Sequence, residues 1–181
     1  MRNLVIGVVS LWMLLATSAS QAWDPGALEE SKAKAQEAVA TLLEKDPAMQ
    51  RFFDEAVAYV VIPSVGKAGF GIGGARGKGL LYEGGEATME VTLTQLSVGF
   101  QAGGQVYTEF VFFKDEATLG DFKRGNFELG AQASAVAVKT GASANVDYSD
   151  GVAIFTQAKG GLMYEASVGG QKFKTKPLET K

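Results

Sequence analysis

The sequence predicts an α+β protein, with N-terminal helices packed on an antiparallel, glycine-rich sheet that closes as a β-sandwich or a partly closed barrel. Three observations predict it. Apolar residues recur at helical spacing only before about residue 58, they alternate with period two from Tyr59 onward, and glycine pairs separate the alternating runs. The 181 residues include 23 glycines and no cysteine, so stability must come from packing without disulfides.

Residues 1–22 read as a secretory signal peptide. Arg2 supplies the positive start, Leu4 to Ala16 an apolar run, and Ser18-Ala19-Ser20-Gln21-Ala22 the small residues before a cleavage site. The run falls short of the roughly twenty apolar residues that cross a membrane. Cleavage after Ala22 would start the mature chain at Trp23 and leave 159 residues, one domain of ordinary size. The expected location is exported, in the periplasm or at the membrane periphery.

Residues 23–58 form the N-terminal helical segment. Asp24-Pro25 pairs an N-cap with the residue best tolerated at the first helical position. Leu28, Ala35, Val39, Leu42 and Leu43 then share a helical face, with Glu29, Glu30, Lys32, Lys34 and Glu37 between them. Asp46-Pro47 repeats the start signal, predicting a second short helix to about Ala58 that buries Phe52, Phe53 and Val57. The segment holds eight acids and four bases, and from residue 59 the signs balance at twelve each. A membrane-surface helix is rich in cations on its polar face, so these helices are expected on the domain's own core. The lack of a basic excess argues against a nucleic-acid partner.

Residues 59–171 form the β-rich core, and 172–181 read as a polar C-terminal tail. Tyr59-Val60-Val61-Ile62 is a strand that Pro63 is expected to cut off. Nine of the twenty residues from 66 to 85 are glycine, a density that costs backbone entropy and needs a structural reason. Gly69 to Gly74 satisfies G-x-G-x-x-G, yet no helical periodicity follows, as a dinucleotide site requires. Gly69, Gly71, Gly73, Gly74, Gly77 and Gly79 are therefore structural glycines, in strands bent or packed where side chains would obstruct. Thr88 to Phe100 switches parity at Thr94-Gln95, which predicts a bulge or bend. Val106 to Phe113 is apolar on both parities, as in a strand covered on both faces. Asp115 to Phe122 can form one or two helical turns, and Phe127 to Ala137, Val152 to Ala158 and Leu162 to Val168 are further strands. Gly84-Gly85, Gly103-Gly104, Asp150-Gly151, Gly160-Gly161 and Gly169-Gly170 mark the turns between them.

The order of these motifs resembles the SYLF lipid-binding domain family over nearly all of residues 47–170. The resemblance rests on Val61-Ile62-Pro63-Ser64-Val65 running into Lys67 to Gly74 and Arg76-Gly77-Lys78-Gly79, then Ser97 to Gln105, and finally Lys159-Gly160-Gly161-Leu162. It implies a domain like those of eukaryotic members that bind phosphoinositides or phosphatidic acid. It also implies kinship with exported bacterial members. The N-terminal end departs from the eukaryotic pattern, carrying a leader and a net-acidic helix where those members have a membrane-engaging helix.

The chemistry inventory points away from an enzyme. Without histidine or cysteine, Ser-His and Cys-His nucleophiles and imidazole or thiolate metal sites are impossible. Asn145, Asp147, Ser149 and Asp150 alternate as calcium ligands would. Asp150 nevertheless stands where the calcium loop needs glycine, and no Glu closes the loop. No cofactor and no metal are expected. The expected function is an exported, non-enzymatic lipid-binding module in which Lys67, Arg76 and Lys78 meet anionic phospholipid headgroups at a membrane surface. The alternative is a cell-envelope structural or protein-interaction domain, with an envelope protein as partner and no lipid ligand.

Overall fold

The computed structural model describes residues 25–125, 127–130, 135–160 and 170–178. The expected signal peptide, the expected cap at Asp24 and the strand expected over 162–168 lie outside the described residues.

Helix α1 spans Pro25–Lys45, a 3-10 turn follows at Pro47–Met49, and helix α2 spans Gln50–Glu55. On α1, Lys34 pairs with Glu30 at 2.5 Å and Lys32 with Glu29 at 2.9 Å, the spacing that supports a solvated helical face. Ala35 and Leu42 are buried, and Leu28, Val39 and Leu43 pack partly buried beside them. The second helical stretch ends earlier than the expected Ala58, because the chain turns extended at Ala56 and enters a strand at Ala58. Asp46 anchors the junction. Its Oδ1 accepts from the Ala48 backbone at 3.3 Å, and its Oδ2 accepts from the Ser143 backbone at 3.0 Å. Arg51 donates to the carbonyls of Ser143 and Val146, so cap and clamp together hold the loop before β5 onto the helices.

Two long strands, β1 (Ala58–Glu83) and β2 (Glu86–Phe113), form one antiparallel hairpin closed by Gly84-Gly85. Both turn glycines have positive φ, +57° and +86°, as a tight hairpin turn demands. Pro63 does not end the first strand. The register slips between Ile62 and Val65, which accommodates the missing N–H, and the Pro63 carbonyl accepts from the Thr108 hydroxyl at 3.0 Å. Gly103-Gly104 is likewise not a turn, since β2 runs through it with Gly69↔Gly103 and Ala68↔Gly104 in register.

The hairpin is folded back on itself. A Cβ on Gly79 would lie 2.1 Å from the Val61 carbonyl oxygen, and one on Gly77 would lie 2.7 Å from the Ile62 side chain. Along a straight strand, 62 and 77 would stand about 50 Å apart, so β1 must reverse between them. The reversal coincides with the irregular register between Phe70 and Ile72. The two halves of β2 then meet different partners. Residues 89–95 pair with β6 (Gln171–Pro177), and 106–113 pair with β5 (Val152–Gly160). Short β3 (Phe127–Glu128) extends β6, and short β4 (Val136–Ala137) adds to β5 in parallel, an exception to the antiparallel expectation. The result is a mixed α/β fold whose sheet curls as a half-barrel.

Two expectations need correction, and a third holds. Residues 171–177 form β6, although the Lys-Phe-Lys-Thr-Lys alternation there shows so little apolar residue that it reads as a tail. Over 127–137, where a single strand is expected, the described residues form β3 and β4 with Leu129, Gly130 and Ala135 outside any strand, and residues 131–134 lie outside the described residues. The Asp150-Gly151 turn is present, with φ of +49° and +77° and Ser149 bridged to Val152.

Two apolar layers hold the fold. Inside the curl pack Val60, Ile62, Val65, Leu81, Val91, Leu93, Val111 and Phe113, with Leu119 and Phe122 from helix α3 (Glu116–Lys123). Outside it, α1 and α2 cover Val61, Leu80, Phe110, Phe112 and Phe155. Phe52 of α2 sits over this outer layer, its ring centroid 4.7 Å from Phe155 and 5.5 Å from both Phe112 and Tyr148. Strand β2 is covered on both faces from 107 to 113, as the two apolar parities of Val106 to Phe113 foretold, except that Val106 itself is exposed.

Candidate functional site

Register decides which charged side chains meet. Partners directly opposite in neighbouring strands share a sheet face. Arg76 stands opposite Thr94, and Thr94 opposite Lys172; Lys78 stands opposite Thr92, and Thr92 opposite Lys174. The next row is Leu80, Glu90 and Lys176. The alternate positions Leu93, Val91 and Phe173 point into the inner core, so the lysines of β6 and the cations of β1 lie together on the outer face. Rows two residues apart are separated by about 7 Å, and strands by about 5 Å. Five cations from two distant parts of the chain therefore occupy a patch about 10 Å wide and 14 Å long.

Two carboxylates lie among them. Glu90 pairs with Lys78 at 3.4 Å, and Glu128 of β3 pairs with Lys172 at 3.2 Å. Lys78, Lys172 and Glu128 are open to solvent while Glu90 is largely covered, and pairs with an exposed cation contribute about 0–1 kcal/mol, which leaves the cations available to an external anion. Among the described residues of this face, five cations stand against two anions.

Lys67 is not part of this face. Its parity is that of Val65, so its side chain turns into the curl and is only 9% exposed. There it meets a buried polar group. Glu109 is fully buried on the same inner face, and its Oε2 accepts from Gln171 Nε2 at 2.9 Å. The same amide lies 3.4 Å from the Tyr107 hydroxyl. Burial pushes the Glu109 carboxyl up to about 7, against the hydrogen bond from Gln171 and the attraction of Lys67, which pull it down. Burial likewise lowers the Lys67 ammonium, and Glu109 partly offsets that. The correction to the expected triad is therefore physical. Lys67 is one residue out of phase with Arg76 and Lys78 relative to the folded sheet, and it is spent on an internal carboxylate.

The candidate glycines divide as well. Gly77 and Gly79 sit where the strand crosses itself, and Gly71 lies at the register break. Gly74 would place a Cβ 3.4 Å from the Gln95 carbonyl, ordinary contact distance, and Gly69 and Gly73 face Gly103 and Ser97 in the ladder. Residues 69–74 lie inside a strand that continues to Glu83, with no helix N-terminus to receive a phosphate. Sequence reasoning missed Lys172, Lys174, Lys176, Glu109 and Gln171. The period-two lysines from 172 to 176 were the available signal for the first three.

The fold and this face define a small α/β domain with a curled sheet and a cationic outer surface. Residues 94–181 match the Ysc84 family model, described as "Las17-binding protein actin regulator", which places this part of the chain in the Ysc84, or SYLF, domain family. The family read from the motifs is thereby shown over residues 94–181, while the motifs from Val61 to Gly79 precede the matched segment. Beta cell expansion factor A of Aeromonas veronii is similar, at 27% identity over 139 residues, covering 75% of this chain and 52% of that protein. The chain thus spans about half the length of that relative.

Proposed function

We propose that this protein is an exported, non-enzymatic module that docks peripherally on anionic phospholipid headgroups through the outer face of β1, β2 and β6. The observation that carries this reading is the cross-strand convergence of Arg76, Lys78, Lys172, Lys174 and Lys176. It is notable in a chain of net charge −3. Membership of the SYLF domain family supports the same ligand class. The cations of this face are exposed, with lysines alternating along β6, suited to a surface rather than to a buried small molecule, and the helices cover the face only from Leu80 onward.

Each cation near an anionic surface contributes about 1 kcal/mol, and the attraction decays over roughly 8 Å at physiological salt. An excess of three positive charges is therefore worth about 3 kcal/mol, enough for reversible docking. The test is co-sedimentation with phosphatidylglycerol or phosphatidic acid vesicles at low and high salt. Arg76→Gln, Lys78→Gln, Lys172→Gln and Lys174→Gln together should abolish binding with the melting temperature unchanged, and Lys67→Gln should leave binding in place. Equal sedimentation of wild type and the fourfold variant would remove this face from the site. Failure of the wild type to sediment would favour the envelope-protein reading. Export is tested separately by intact mass of the protein from its host, expected to begin at Trp23.

A further inference from the structure

We propose that the fold-back of the β1–β2 hairpin, residues 66–76 with 95–106, is the element that enters the bilayer interface when the cationic face docks. This inference rests on the docking reading and adds to it the apolar contact that charges alone do not supply.

Leu96 is 74% exposed and Val106 is 42% exposed; they are the large apolar side chains left in solvent among the described residues. Both lie on β2, one on each arm of the fold-back. Leu96 pairs with Gly74, one row beyond the row of Arg76, Thr94 and Lys172 and on the same outer face. It therefore projects about 7 Å from the nearest cations of the docking surface. Composition agrees with the placement. Across 66–76 and 95–106 the only charged residues are Lys67 and Arg76, and there is no acid. An edge meant for water is ordinarily guarded by charges.

The backbone is suited to a water-poor environment too. Gly66↔Val106, Lys67↔Gln105, Ala68↔Gly104, Gly69↔Gly103, Phe70↔Ala102, Ile72↔Val98, Gly73↔Ser97 and Gly74↔Leu96 are paired in the ladder, and only 71 and 99–101, at the register break, fall outside it. Polar groups that would be costly to desolvate are thus largely engaged with each other. Arg76 sits at the rim, where a cation meets lipid phosphate while its neighbours contact the acyl boundary. Insertion is confined to the fold-back, because the outer face beyond it is covered by α1 and α2 from Leu80 onward.

The cysteine-free chain allows a direct test. Leu96→Cys and Val106→Cys, each carrying an environment-sensitive fluorophore, are mixed with vesicles of equal phosphatidylglycerol and phosphatidylcholine. Glu116→Cys, exposed at the start of α3, is the reference. The labels at 96 and 106 should shift to the blue and brighten, and the one at 116 should not. Leu96→Asp should lower the vesicle partition coefficient by about 10- to 100-fold, the equivalent of one leucine left in water. Its melting temperature should hold, because the side chain is already exposed. If the wild type sediments with vesicles while the label at 96 stays water-like and Leu96→Asp binds normally, the insertion is wrong and the docking stands. If the wild type does not sediment, docking fails and the insertion with it. A blue shift without vesicles, accompanied by a doubling of mass that Leu96→Asp reverses, would assign the tip to a second copy of the chain and overturn the proposal.

Discussion

Replacing Glu109 by Gln should stabilise this protein at neutral pH and leave it unchanged in acid. The carboxyl is fully buried, takes one hydrogen bond from Gln171, and has a second oxygen without a hydrogen-bond partner. Burial raises it from 4.5 to about 7. Between those values the folded chain holds a proton that the unfolded chain has released. Stability from this group is therefore full below pH 4.5, falls through the window up to about 7, and is level above it. The interval corresponds to about 3 kcal/mol, or roughly 6–12 °C in melting temperature for a chain of this length. A glutamine keeps an oxygen for the Gln171 amide and offers an N–H to the Gln171 carbonyl oxygen, which is itself buried without a partner. Melting wild type and Glu109→Gln from pH 4 to 8 and taking the difference cancels the carboxylates common to both. Lys67→Met should move the window upward, because the attraction that lowers Glu109 is gone. A flat difference between the two proteins across this range would refute the buried carboxyl and with it the inward placement of Lys67.

The self-crossing of β1 makes its glycines unequal. Gly79→Ala should cost on the order of 3 kcal/mol or prevent folding, because its Cβ would meet backbone at Val61 and Ile62 that cannot step aside. Gly74→Ala should be within about 1 kcal/mol of wild type, since its Cβ reaches only ordinary contact with the Gln95 carbonyl; urea unfolding of the pair separates the two. Asp46→Ala should destabilise by about 1–3 kcal/mol and loosen the 139–148 loop, because the Ala48 and Ser143 amides lose their acceptor. Hydrogen exchange at Ser143 measures it. Burial pushes the Asp46 carboxyl up, but the hydrogen bonds from Ser143, Gly141 and Ala48 outweigh this and hold it below its ordinary value. Its contribution is accordingly present at neutral pH and lost in acid, opposite in sign to that of Glu109.

What the sequence determined by itself was local. Asp46-Pro47, the helical spacing of Ala35 and Leu42, the turns at Gly84-Gly85 and Asp150-Gly151, and the double apolar parity of 107–113 each follow from one segment's own chemistry. The motif order from Val61 onward also carried the family. The tertiary structure decided which strand faces meet, because a slip of one residue moves a side chain to the other face. Lys67 and Arg76, nine residues apart, fall on opposite faces by alternation alone, and the slip at Pro63, which lets both Ile62 and Val65 face the core, decides that Lys67 is the one turned inward. Likewise Lys172 and Lys174 read as solvated tail until β6 pairs with β2 and brings them two strands from Arg76 and Lys78. A charged face assembled from residues nearly a hundred positions apart exists only in the register of the sheet.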